Sequence, residues 1–171
     1  MSTDEERDAE HWSAIEDAVE LLLERQYEKA LLELRDVLKR DPSNAYAYHH
    51  LGNALYDLGQ LEPARDAYRA AVRHRPHYLA ARIALSHVLR KLGSFDAAMR
   101  EANQALQRFP GDGEAHFASG MALAACGERD RARFHLERFL ASHPELEAAL
   151  EARGVLAMLE RGDDDEPFEL A

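Results

Sequence analysis

The side chains of this chain with most chemistry to offer are nine histidines, one cysteine and a dense run of arginines. His49 and His50 are adjacent, and on a helix neighbouring side chains point about 100° apart, so the two cannot easily share an ion. His87 could bring a further nitrogen near His49, but no Cys, Asp or third His completes a ligand set, and no metal is expected. Cys126 has no second cysteine to pair with, so no internal disulfide forms and an oxidising compartment is not implied. No nucleophile stands beside a base and no Gly-rich loop could cradle a phosphate. The expectation is a protein that is not an enzyme, with no catalytic residue and no cofactor. Residues 65–91 hold seven Arg or Lys against one acid, Asp66. Arg65, Arg69 and Arg73 recur every four residues and would form a stripe along one helix face. That stripe reads as a solvated surface, or as a docking surface for an acidic partner.

The net charge of −11 is concentrated at the two ends of the chain. Residues 1–10 hold Asp4, Glu5, Glu6, Asp8 and Glu10 against Arg7 alone, and residues 162–171 hold Asp163, Asp164, Asp165, Glu166 and Glu169 with no base. The body between them is close to neutral, and acidic ends would repel a phosphate backbone, so nucleic acid is not an expected partner. The first residues, MSTDEERDAEHW, contain no apolar stretch of the kind a secretory signal needs. No window approaches the ~18 apolar residues of a membrane span. A cytoplasmic protein without membrane insertion is the default expectation.

The elements that must position these residues are set out by an internal period. Pro42, Pro76, Pro110 and Pro144 follow one another at steps of 34 residues. The same step links Ala30, Ala64, Ala98 and Ala132, and again Leu21, Leu55, Leu89 and Leu123. A column of small residues runs Ala18, Gly52, Ser86, Gly120, Gly154, and a turn column runs Gly59, Gly93, Gly127 with Arg25 as its exception. Proline lacks an N–H and has a fixed φ, so each proline stops an apolar helical stretch. Glycine in the turn column ends the preceding helix in the left-handed conformation. Two amphipathic helices per period follow, for example Tyr46–Leu58 and Leu61–His74, with Pro63 tolerated in the first turn of the second. Small residues let the paired helices approach closely, and Leu38, Val72, Leu106 and Leu140 fill the space between pairs.

These columns resemble the tetratricopeptide repeat (TPR). Residues 45–78 match its pattern through Tyr48, Leu51, Gly52, Leu55, Gly59, Ala64, Tyr68, Ala71 and Pro76. Residues 79–112 match through Leu85, Leu89, Gly93, Phe95, Ala98, Ala105 and Pro110, and residues 113–146 through Gly120, Leu123, Gly127, Ala132 and Pro144. Residues 11–44 form a degenerate first repeat, with Asp17 at a leucine place and Arg25 at a glycine place. The resemblance implies an all-α fold: a right-handed TPR superhelix, or α-solenoid, of four helix-turn-helix repeats. A capping helix over 147–161 would close it. Acidic tails are expected over 1–10 and 162–171.

The resemblance also implies a function. In TPR proteins the first helix of each repeat lines a concave groove that holds a peptide. The corresponding columns here are Trp12, Tyr46, Ala80, Glu114; Ile15, His49, Ile83, Phe117; Val19, Asn53, His87, Met121; and Leu22, Tyr56, Arg90, Ala124. The expected peptide-binding groove is therefore Tyr46, His49, Asn53, Tyr56, Ile83, His87, Arg90, Phe117 and Met121. Its ends are apolar and its middle is polar, where Asn53 and Arg90 could grip a peptide backbone or a carboxylate. Ile15, Val19 and Leu22 could equally be packing residues. One branch of the family clamps chaperone C-termini through Lys, Arg and Asn. The corresponding places here hold His49, Asn53, Ala84, Glu114 and Ala118, and only Asn53 matches, so that role is not expected. The C-terminal sequence DDDEPFELA looks like a short linear ligand: Phe168 and Leu170 could dock in an apolar groove, including that of a second copy, or the segment could be a solubilising tail. The reading is a non-enzymatic adaptor or scaffold for a protein or peptide partner. A small TPR chaperone for a secreted or assembled client, and a scaffold that self-associates through the tail or through Val155, Met158 and Leu159, remain alternatives.

Overall fold

The computed structural model describes residues 3–161. Among the described residues there are ten helices and no strand. In chain order they are α1 (Thr3–Ser13), α2 (Glu16–Leu23), α3 (Tyr27–Arg40), α4 (Ala45–Asp57), α5 (Leu61–His74), α6 (Leu79–Lys91), α7 (Phe95–Arg108), α8 (Gly113–Ala125), α9 (Arg129–Leu140) and α10 (Leu146–Glu160). The chain falls into two compact units, Met1–Arg82 and Ile83–Ala171.

The stops lie where the columns put them. Helices α3, α5 and α7 end two residues before Pro42, Pro76 and Pro110. Gly59, Gly93 and Gly127 carry φ of 74°, 72° and 77°, in the left-handed region that glycine enters without the cost a Cβ brings. Arg25, the exception in that column, takes φ 58° all the same, so the first repeat keeps the turn and bears its strain. Helix starts have their own device. Asn44 and Asp112 stand in one column of the repeat and cap α4 and α8, accepting from Ala47 N at 3.0 Å and Ala115 N at 2.8 Å.

In the first unit α2 packs on α3, α3 on α4 and α4 on α5. Ile15, Ala18, Leu34, Val37 and Ala47 form a core there. Gly52 lies against Tyr68 so closely that a Cβ would fall 2.5 Å from the ring. In the second unit α7 packs on α8 and α8 on α9, with α10 laid over both α8 and α9. Helix α8 is buried from Ala115 to Ala124 without interruption, because α7, α9 and α10 enclose it. Gly120 meets Leu136 as Gly52 meets Tyr68: a Cβ there would lie 2.7 Å from the Leu136 side chain.

Three features depart from expectation. Residues 3–13 form a helix, α1, where an acidic tail was expected, and Trp12 belongs to it instead of to the first repeat helix. So polar a helix has little reason to form alone, and this one is held by α4, on which it packs. Cys126, whose repeat column of Glu24, Leu58 and Leu92 predicts a small buried hydrophobe, is exposed because it caps the end of α8 beyond the last buried turn. Val155 and Leu159 of the closing helix are buried at 3% and 7% exposure, and only Met158 of the three expected apolar surface residues faces outward. Phe168, Leu170 and the acidic segment from 162 onward lie outside the described residues.

Candidate functional site

Tyr46, His49, Asn53 and Tyr56 follow one another at helical spacing on α4, and all four are half-buried. Each of the first three is fixed by a residue from a different part of the first unit. Arg75 donates to the Tyr46 hydroxyl at 2.6 Å and lies over its ring, 5.1 Å from the centroid. The Tyr78 hydroxyl is 2.9 Å from His49 Nδ1, and the Tyr68 hydroxyl donates to Asn53 Oδ1 at 2.9 Å. Burial, and then the neighbouring His50, hold the His49 pKa down at about 3, so its ring is neutral at physiological pH. With Tyr68 donating to its oxygen, Asn53 keeps its amide N–H groups available as donors. Such a surface offers ordered hydrogen-bonding groups and ring faces to an extended chain.

The acidic α1 takes part in this arrangement. Its Asp8 pairs with Arg75, and its Trp12 meets Tyr46 edge-on at 5.7 Å. Asn44, besides capping α4, donates to the His11 carbonyl at 2.9 Å, and His11 pairs with Asp41 at 2.8 Å. Between α1 and the loops before α4 and α6 lies a cleft of about 410 Å³ lined in part by Arg7, His11, Tyr46, His74, Arg75 and His77.

In the second unit Ile83, His87 and Arg90 share one face of α6. Phe117 and Met121 on α8 are 5% and 2% exposed and belong to the core, packed with Leu136, Phe139 and Val155. The Phe117 ring contacts Phe139 at 4.6 Å and His87 at 5.7 Å. The expected apolar end of a groove is thus covered here by α10. Burial, followed by the charges of Arg90 and Lys91, keeps the His87 pKa at about 4. The Arg90 side chain is 12% exposed and has Glu151 of α10 as its ion-pair partner at 3.8 Å.

Arg75, Tyr78, Asp8 and Glu151 are residues that the sequence did not single out. Tyr78 left a signal: it stands in the helix-start column with Asn44 and Asp112 but cannot cap, and its hydroxyl serves His49 instead. Asp8 and Arg75 left none, being 67 positions apart. The arginine stripe on α5 is partly self-neutralised, since Asp66 accepts from Arg65 at 2.8 Å and lies 3.9 Å from Arg69. Cys126 is a poor nucleophile, because partial burial, then Asp96 and Glu128, push its thiol up. Among the described residues no group of three His, Cys, Asp or Glu side chains is arranged around a metal position. No helix is long and apolar enough to cross a membrane among the described residues.

Family models for the TPR repeat match residues 21–59, and models for the tetratricopeptide repeat match residues 45–78 and 79–120. Among curated proteins none matches. The fold is similar to that of TTC0263, a thermophilic TPR protein of Thermus thermophilus, with 26% identity, a TM-score of 0.68, and coverage of 88% of this chain and 81% of that one. It is similar to YrrB, described as a TPR protein with an unusual peptide-binding site, at 28% identity and a TM-score of 0.69 over 86% of this chain and 76% of that one. Pseudomonas aeruginosa pilF, at 20% identity, shares the fold with a TM-score of 0.77 over 91% of this chain and 71% of that one.

Proposed function

The chain belongs to the tetratricopeptide-repeat family, and we propose that within that family's protein-interaction role it is a non-enzymatic adaptor holding a partner peptide against α4. The observation that carries the reading is the fixing of Tyr46, His49 and Asn53 on one helix face by Arg75, Tyr78 and Tyr68. Ordered donors and acceptors lose little entropy on binding, so a peptide backbone can be matched at low cost. The likeness to YrrB, a protein whose own description includes peptide binding, supports the same reading.

The test is an affinity capture comparing wild type with Asn53→Asp and Tyr56→Ala. Aspartate keeps the acceptor for the Tyr68 hydroxyl and removes the amide donors, so the variant should fold as wild type does. Partners captured by wild type should be lost from both variants, and from Asn53→Asp at unchanged melting temperature. Equal capture by all three proteins would remove the α4 face as the site.

A second reading, self-association, is favoured by α10. Its Leu146, Leu150 and Met158 are 72%, 56% and 43% exposed and fall at helical spacing on its outer side. Sedimentation over a concentration range, with Leu150→Glu as the control, decides it: a concentration-dependent oligomer that the variant loses supports this reading.

A further inference from the structure

A recess of about 310 Å³ lies in the second unit where α8 and α10 end. Ala124, Ala125, Cys126 and Gly127 line it from α8 and the turn that follows, and Met158 and Leu159 from the last turn of α10. Arg129, at the start of α9, stands at its rim. The repeat explains why the room is there. Cys126 occupies the column in which the earlier repeats place the half-buried Leu58 and Leu92, and its shorter side chain fills less space. Cys126 is exposed as a result, and Met158 is 43% exposed, so the walls hold apolar surface against water. A cavity of about 150 Å³ already admits benzene, so this one has room for a phenyl ring.

We propose that this recess is the docking site of the chain's own C-terminal segment, with Phe168 seated against Met158 and Cys126. The inference is independent of the α4 reading. The chain leaves α10 at Arg161, one helical turn beyond Met158, so the segment begins beside the recess. Phe168 follows Arg161 by seven positions, a reach of up to about 25 Å, and folding back puts no tension on the chain. Pro167 fixes its own φ and restricts Glu166 before it, which reduces the entropy lost when the next residue docks. The acids from Asp163 to Glu166 come between, and Arg129 and Arg131 of α9 stand along the way. Arg131 meets Glu128 in an exposed pair at 3.7 Å, longer than a hydrogen bond. Glu128 and Asp130 share that rim, so charge steers the segment weakly and the phenyl ring supplies the affinity. The tether decides between this chain's segment and that of a second copy. A short linker holds its end at an effective concentration in the millimolar range, which a second copy at micromolar concentration does not match.

Cys126 is the only cysteine of the chain and reports whether the recess is covered. The full chain is alkylated with iodoacetamide, which is uncharged and so indifferent to the acids of the segment, and the product is followed by mass spectrometry. Phe168→Ser leaves the charge unchanged and should be alkylated roughly tenfold faster than wild type. That factor is what the low end of a buried phenylalanine's contribution gives. An excess of the peptide Asp163–Ala171 should slow the variant to the wild-type rate, and the same peptide with serine at the phenylalanine position should not. Peptide rescue also shows that the variant keeps its fold. Dilution of wild type over a hundredfold range should leave its rate unchanged. Equal rates for wild type and Phe168→Ser, or a variant that the peptide does not protect, overturn the proposal. A wild-type rate that rises on dilution overturns it as well, because the segment in the recess then comes from a second copy.

Discussion

The polar faces of the two units are built to opposite rules. On α4 in the first unit, Tyr46, His49 and Asn53 each have a partner from elsewhere in the unit, and the surface is ordered before anything binds. On α6 in the second unit, Arg90 is buried with one distant carboxylate, and His87 rests on an aromatic core. The first helix of one repeat therefore presents side chains tied to partners in its own unit, and that of the next presents a buried guanidinium with a distant one. The cores beneath differ in the same sense. Tyr68 under α4 carries a hydroxyl bonded to Asn53, whereas the cluster shared by α8, α9 and α10 in the second unit is built from Leu136, Phe139, Phe117 and Met121.

The largest effect should come from filling the close approaches of α4 to α5 and of α8 to α9. Gly120→Ala would place a Cβ 2.7 Å from the fully buried Leu136 side chain and 3.2 Å from its backbone nitrogen, so a helix must move. A loss of about 3 kcal/mol in chemical denaturation is expected, the upper end for overpacking. Gly52→Ala meets first the Tyr68 ring, at 2.5 Å, which can tilt at the expense of its bond to Asn53. About 2 kcal/mol is expected there. The polar face of the first unit should loosen with it, visible as faster amide exchange at Asn53. Equal costs at both glycines, with Asn53 undisturbed, would contradict the distinction between a ring that can tilt and a buried helix contact that cannot yield.

The helix caps repeat the comparison at smaller scale. Asp112→Ala removes one cap bond and should cost about 1 kcal/mol. Asn44→Ala removes a cap bond and also the bond from its amide to the His11 carbonyl, at a position with no solvent exposure. About 2 kcal/mol is expected, with α1 released from the first unit. Circular dichroism should then show a loss of helix in the folded state of Asn44→Ala and none in Asp112→Ala.

What the sequence made legible was what repeats. The proline stops, the glycine turns and the close approaches at Gly52 and Gly120 follow from columns, because the same backbone problem recurs and takes the same solution. Arg25 shows the strength of that rule, since the turn persists at φ 58° without its glycine. What does not repeat was hidden. Helix α1 has no apolar period to announce it and depends on Asp8 finding Arg75 far along the chain. Burial of Phe117 and Met121 depends on how α10 lies on α8, a tertiary fact that a surface column cannot express. Of the candidate site, the α4 residues are legible as one helix face, but their partners Arg75 and Tyr78 sit in a loop between helices, where periodicity says nothing.

Two histidines sharpen the contrast between the faces through pH. His49 and His87 have folded pKa values near 3 and 4, both below the ordinary value of 6.5. Above pH 6.5 both folded and unfolded chains hold the rings neutral, and the stability associated with them is intact. As pH falls below 6.5 the unfolded chain takes up protons that the folded chain refuses, so stability declines towards pH 4. Each histidine contributes at most about 1.4 kcal/mol per pH unit. His49→Leu and His87→Leu should each flatten that decline in urea titrations. At pH 7.5 only His49→Leu should cost stability, about 1 kcal/mol, because it strips the Tyr78 hydroxyl of its partner. A comparable cost at neutral pH for His87→Leu would mean that His87 has a partner within the fold, and the two faces would no longer differ.

The smallest effect tests where the small-residue column stops having a packing role. Gly154 continues the series of Gly52 and Gly120 in sequence, yet a Cβ there would meet nothing within 4 Å. No helix closes over it among the described residues, and it lies in the middle of α10 at an ordinary helical position. A glycine in such a place costs backbone entropy without return, so Gly154→Ala should stabilise the protein by about 0.5–1 kcal/mol, where the same change at Gly120 destabilises it. The gain should appear as a higher denaturation midpoint at unchanged slope. A loss of stability on Gly154→Ala would instead mean that another surface comes against α10 at that point, and sedimentation of the variant beside wild type would show whether a second copy provides it.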